Sequence, residues 1–140
     1  SMPSPLLVVL TLGANIRAAP QPRAPHPSAG LVPIAVKKPW LVTKQVKQAD
    51  NFAALWRVQR AHGDHYNDIH LSAAWIAVGR LSSGRLPDEY VSELQDLQRQ
   101  TIHMARRQQL GARAVANIVY GAARSGLRSY GSSALFDALG

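Results

Sequence analysis

The sequence resembles itself at an offset of 42 residues, and this period constrains the fold more than any other feature. One step carries Leu55 onto Leu97, and a second step carries Leu97 onto Leu139. The matches between the first two copies are Ala74, Ile76, Gly79, Ser83 and Gly84 with Ala116, Ile118, Gly121, Ser125 and Gly126. Periods of 20 to 50 residues are typical of stacked structural repeats. The self-match therefore favours a helix-pair repeat, with an ordinary four-helix domain as the alternative.

Apolar residues recur at helical spacing from Thr43 onward and predict an all-α fold with five helices. We expect these helices over residues 45–62, 68–82, 87–110, 112–124 and 134–139. Gly63 and Gly126 stand where helices end, and Asn67 is a natural N-cap. The predicted architecture is a set of antiparallel helix pairs stacked as an α-solenoid, with copies over 45–84 and 87–126 and a third starting at 132–140.

The apolar stripes predict which face of each helix is buried. The helix over 68–82 is apolar around most of its circumference, so it should be central. In the helix over 87–110 the stripe is Tyr90, Leu94, Leu97, Thr101 and Met104. In the helix over 112–124 the expected inward residues are Ala112, Val115, Ala116, Val119 and Ala122. Gly79 and Gly121 lie inside helices, where each costs about 1 kcal/mol relative to Ala. Their small size predicts a close approach of neighbouring helices.

The first 42 residues differ from the rest of the chain. Residues 1–49 carry six basic residues and no acid, a charge of +6, whereas residues 50–140 carry ten Arg and eight acids, a charge of +2. Alternating prolines near residues 20–27 block both helix and strand pairing. We therefore predict a disordered leader over residues 1–42, with residues 31–42 as a short extended segment interrupted by Pro33 and Pro39. Its composition is that of an organelle targeting segment, with a secretory signal or a plain disordered leader as alternatives.

Two stretches of the chain resemble the second helix of octotricopeptide-type repeats and of FAST-kinase-like proteins, which often carry a RAP domain. The stretches are NDIHLSAAWIAVGRL over residues 67–81 and ARAVANIVYGAARSG over residues 112–126. The proline-and-tryptophan motif of typical octotricopeptide repeats and the RAP domain are both absent. The resemblance implies paired helices, a mitochondrial or chloroplast location, and binding of organelle RNA in processing, stability or translation. Apart from the resemblance, the sequence shows no Gly-rich phosphate loop, activated serine or closely paired carboxylates at helical spacing, so we predict no enzyme activity and no cofactor.

Polar side chains form a stripe on each of the last two long helices. On the helix over 112–124, Arg113, Asn117, Tyr120 and Arg124 fall at i, i+4, i+7 and i+11. On the helix before it, Arg99, His103 and Arg106 form a second stripe beside Arg107. Guanidinium, amide and aromatic groups are what single-stranded RNA recognition uses. We predict that Arg99, Arg106, Arg107, Arg113, Asn117, Tyr120 and Arg124 bind RNA. The alternative is a solvated helix surface, since the first copy has Leu71, Trp75, Val78 and Ser82 at the fourth-helix positions.

The histidine-rich stretch over residues 62–70 is the one other candidate for chemistry. It contains His62, His65 and His70 with Asp64 and Asp68 across a helix–loop–helix junction, where they could share a metal. Turn and capping roles explain the same residues, so we expect no metal site. A metal-dependent enzyme that uses these residues is the third hypothesis, after RNA binding and a protein-binding scaffold.

Overall fold

A computed structural model describes residues 32–82, 87–126 and 133–140 of the chain. Within these ranges the protein is all-helical and contains no strand. All of its helices belong to the compact unit Pro33–Gly140. The helices are α1 (Ile34–Lys37), α2 (Pro39–Gln48), α3 (Phe52–His62), α4 (Asp68–Ser82), α5 (Val91–Arg106), α6 (Ala112–Arg124) and α7 (Ser133–Leu139). Single 3₁₀ turns, Gly63–His65 and Asp88–Tyr90, precede α4 and α5. None of these helices has the length and apolar character needed to cross a membrane.

The chain folds earlier than the sequence predicts. Residues 34–37 and 39–42, expected to be extended within a disordered leader, form α1 and the first part of α2. Pro33 precedes α1 and Pro39 opens α2, so the two prolines begin helices instead of interrupting a strand. Val42 and Val46 are fully buried, which places α2 in the core. The predicted boundary at residue 42 is therefore wrong, and the rest of the predicted leader, residues 1–31, lies outside the described residues.

The predicted first helix over 45–62 is two helices. Ala49 has an extended backbone, and the Asn51 side-chain oxygen accepts a hydrogen bond from the Ala54 N–H at 2.8 Å. This N-cap starts α3 as a separate helix. The apolar spacing runs on through the break, so periodicity alone did not reveal it.

The remaining boundaries largely match the prediction. The bounds of α4 and α6 are as expected, and the Asn67 side chain caps α4 by accepting from the His70 N–H at 2.8 Å. Gly126 takes a positive φ of 78° after α6. In contrast, α5 ends at Arg106, before its predicted end, and Gln108 adopts a φ of 57° in the turn that follows.

Helix α4 is central, as its apolar circumference predicts, and it lies between α2 and α6. The α4–α6 crossing is made at glycines. A Cβ at Gly121 would lie 2.1 Å from the carbonyl oxygen of Trp75, and a Cβ at Gly79 would lie 2.9 Å from the carbonyl oxygen of Gly121. The two backbones are therefore in direct contact, which confirms the prediction that these glycines allow close approach.

The buried face of α6 differs from the predicted one. The buried residues are Ala114, Ile118, Gly121 and Ala122, while the expected Ala112 and Ala116 are exposed, and Val115 and Val119 are only half-buried. Apolar residues surround much of this helix, so the sequence allows more than one inward face. Contact with α4 selects the face that carries Gly121, because a side chain there would strike the α4 backbone.

Contacts at both ends show that α2, α4 and α6 run in the same direction. The His70 ring, near the start of α4, lies 2.8 Å from the carbonyl oxygen of Pro39 at the start of α2. Arg80, near the end of α4, donates to the carbonyl of Ala49 after α2. Gly111, just before α6, lies beside Asp68 at the start of α4. Arg124, the last residue of α6, lies beside Gly79 near the end of α4.

The same holds for α3 and α5. The rings of Phe52 and Tyr90, at the two N-terminal ends, have centroids 5.3 Å apart. Further along, Gln59 donates to Gln100 at 3.0 Å. Between the two groups of helices, the Trp75 indole N–H donates to the Thr101 hydroxyl at 2.9 Å inside the core.

Candidate nucleic-acid interface

The polar stripe predicted on α6 lies on the solvent side of that helix. Arg113 and Arg124 are exposed, Tyr120 is 58% exposed and Asn117 is half-buried. Helix α6 contains no acidic residue. The stripe borders the face that packs against α4, so its side chains lie beside the α4–α6 junction.

A groove of about 520 Å³ runs along this junction and across the outer surface of α4. Its floor is formed by residues of α4, and its two walls come from α2 and α6. The floor residues are Ile69, Ser72, Ala73 and Ile76, and the wall residues are Thr43 and Lys47 on α2 with Arg113, Ala114 and Asn117 on α6. Asp68 and Gly111 also line it.

The groove has a basic residue on each wall and an apolar floor. Lys47 and Arg113 are exposed, and neither makes an ion pair with any residue that the structure describes. Asp68 is the single carboxylate that lines the groove. Ile69 is 60% exposed, which is unusual for a large aliphatic side chain on a central helix. An anionic ligand with an apolar face would complement these surfaces.

The predicted residues on α5 do not join this groove. Arg99, Arg106 and Arg107 are exposed, but none lines the groove beside α6. Arg99 forms an ion pair with Asp96 on its own helix. Helix α5 packs against α7, whereas α6 packs against α4, and this separates the two stripes. The structure thus places only part of the predicted set, Arg113 and Asn117, at one cavity.

A second and larger cavity, of about 810 Å³, lies between α3 and α5. Its lining mixes Arg60 and His103 with the carboxylates of Asp64, Asp68 and Asp96, so its charged residues do not favour an anionic ligand. Tyr66 lines it as well, and its buried hydroxyl has no hydrogen-bond partner among the described residues. Burial raises the pKa of Tyr66 above its ordinary value, so this phenol stays neutral.

His70 has a structural role. Its Nδ1 accepts a hydrogen bond from the Asn67 backbone N–H at 3.0 Å, so Nε2–H is the group that donates to the Pro39 carbonyl at 2.8 Å. The side chain is fully buried and ties α4 to α2. No three His, Asp or Glu side chains in the described ranges converge to hold a metal ion.

Sequence reasoning missed the α2 wall. Thr43 and Lys47 are four residues apart, so they share one side of a helix, and Trp40 extends that side by one turn. This spacing was a usable signal, and Lys47 lay inside the predicted helix over 45–62, but the RNA-binding prediction used only polar stripes of the helices over 87–110 and 112–124.

Comparisons with models of protein families, with curated proteins and with solved structures find no significant match to this chain.

Proposed function

We propose that this chain is a helical-repeat protein that binds single-stranded RNA through the exposed face of α6. Its helices form two layers of stacked antiparallel pairs in the manner of an α-solenoid. The common direction of α2, α4 and α6, and that of α3 and α5, supports this arrangement. Layers of this kind present long surfaces on which an extended ligand binds.

The observation that carries the proposal is the uncompensated polar face of α6. Arg113 and Arg124 supply guanidinium groups that pair with phosphate oxygens, and neither has an acidic partner among the described residues. Asn117 supplies an amide that hydrogen-bonds a base edge, and Tyr120 supplies an exposed ring on which a base stacks. Single-stranded RNA offers a partner to each of these side chains, because it carries phosphates and its unpaired bases expose both their edges and their faces.

The proposed setting is a mitochondrion or a chloroplast, in RNA processing, stability or translation. It is supported by the resemblance of residues 67–81 and 112–126 to octotricopeptide-type helices and by the acid-free, basic segment before residue 50. Neither point depends on the geometry of α6, so the RNA-binding proposal can be tested by itself.

Titration of labelled single-stranded RNA oligomers, followed by fluorescence anisotropy at several salt concentrations, tests the proposal. The double change Arg113→Gln with Arg124→Gln should weaken binding and lower the log–log salt slope by about 1.4, since each phosphate contact on a single strand contributes roughly 0.7. The matched control, Arg57→Gln with Arg60→Gln, removes the same charge from α3. If the wild-type chain does not bind RNA at low salt, or if the two double variants behave alike, the α6 face is ordinary solvated surface.

A protein-binding scaffold is the second candidate, and one observation favours it. Ile34, Val36 and Trp40 are large apolar residues exposed on α1 and α2, with Trp40 at 63%. Exposed apolar groups of this kind are typical of protein contacts. If the change Trp40→Ser abolishes binding of a partner protein and leaves RNA binding unchanged, this surface has a scaffold role.

A further inference from the structure

We infer that the RNA site is a composite groove in which Lys47 of α2 binds phosphate opposite Arg113, while the α4 floor receives a base. This inference rests on the proposed function and extends it to α2, a helix whose first residues, 39–42, the sequence analysis placed in the leader. Lys47 and Arg113 line the same groove from its two walls. Its volume of about 520 Å³ falls within the roughly 300–1,000 Å³ typical of ligand sites.

The backbone that carries Lys47 is fixed in place. Arg80 of α4 donates to the carbonyls of Ala49 at 3.0 Å and of Lys47 at 3.3 Å. At the other end of α2, the Pro39 carbonyl accepts from His70. These contacts hold both ends of α2 against α4, so the distance across the groove is set by the fold. A preorganised wall loses less entropy on binding than a mobile one.

The floor and one wall provide for a base. Ile69 is 60% exposed, and Ala73 and Ile76 continue the apolar surface along α4. An apolar surface suits the face of a base, which has no hydrogen-bonding groups. The Asn117 amide, at the α6 wall, is placed to meet a base edge. A polypeptide would need acidic side chains to meet Lys47 and Arg113, whereas RNA brings a phosphate with every nucleotide.

A matched pair of lysine variants provides the test, because Lys44 lies on the same helix, is also exposed and does not line the groove. By anisotropy with oligouridine and oligoadenine, Lys47→Gln should lower the salt slope by about 0.7 and the affinity by roughly fivefold near 0.1 M salt. Lys44→Gln should leave the slope at its wild-type value. Circular dichroism melting of both variants should match the wild type, since both lysines are exposed.

A second pair of variants tests the floor. Ile69→Ser should weaken RNA binding without changing the salt slope, because it removes an apolar contact and no charge. Val36→Ser is the control, since Val36 is 58% exposed on α1 and does not line the groove.

The outcomes separate the two proposals. Absence of RNA binding by the wild-type chain overturns the proposed function. If RNA binds and depends on Arg113 and Arg124, but Lys47→Gln behaves like Lys44→Gln, the composite groove is wrong while the proposed function stands. Binding of an acidic polyglutamate peptide, without binding of RNA, would assign the groove to a protein partner and overturn the inference.

Discussion

At the scale of single residues, Thr101 shows how a polar group buried in the core is held by specific partners. Thr101 is fully buried, accepts from the Trp75 indole N–H at 2.9 Å and donates to the Leu97 carbonyl at 2.7 Å. Its hydroxyl therefore satisfies a donor on a neighbouring helix while keeping its own proton bonded. This explains why a polar residue occupies a stripe that is otherwise apolar.

We expect Thr101→Val to lower the free energy of unfolding by about 1–3 kcal/mol. The change leaves the buried indole N–H of Trp75 without an acceptor, while valine has nearly the same shape as threonine. The control is Thr43→Val, which removes a half-buried bond to the Pro39 carbonyl within α2 and leaves no buried donor unpaired. Urea denaturation measures both. Equal stability of the Thr101 variant and the wild type would mean that the Trp75 bond contributes nothing.

At the scale of elements, the α4–α6 crossing holds the folded unit together. Glycine inside a helix is intrinsically unfavourable, so Gly79 and Gly121 are explained only by the space they leave. The position of a Cβ at Gly121 is occupied by backbone atoms of Trp75 and Ile76, which cannot move aside as a side chain can. Each such residue therefore fixes the distance between two helices.

Gly121→Ala should destabilise the protein by about 1–3 kcal/mol, despite the gain in helix propensity, because the helices must separate to admit the methyl group. Gly111→Ala is the control, since its Cβ would meet nothing closer than the Asp68 carboxylate at 3.6 Å. Thermal melting compares the two. A Gly121 variant that melts as high as the wild type would show that α4 and α6 do not touch at this point.

At the scale of the whole molecule, α2 is an integral part of the fold. It contributes the fully buried Val42 and Val46 and the backbone acceptors of His70 and Arg80. The folded unit accordingly begins at Pro33. The three parallel helices α2, α4 and α6 make one continuous surface, and the candidate groove exists only where all three are present.

Two truncations test this directly. A chain that starts at residue 32 should unfold at the same urea concentration as the full chain, because the segment removed is predicted to be disordered and to add nothing to the core. A chain that starts at residue 50 should lose about 3–6 kcal/mol, since burial of each valine side chain contributes roughly 1.5–3 kcal/mol. Comparable stability of the two truncated chains would contradict the assignment of α2 to the core.

The sequence by itself determined the helices whose signals are local. The bounds of α4 and α6 follow from caps and apolar spacing within a few residues, and the glycines at a 42-residue offset indicated a close contact. A helix forms through bonds between residues four positions apart, so such signals suffice for it.

Only the tertiary structure decided which face of α6 is buried, that residues 34–37 and 39–42 are helical, and that Lys47 lies across a groove from Arg113. Each of these depends on a partner many positions away along the chain. An apolar residue indicates that its side chain will be buried but not which residues will cover it, because the hydrophobic effect has no direction. The partner is selected by shape instead, as where Gly121 admits the backbone of Trp75.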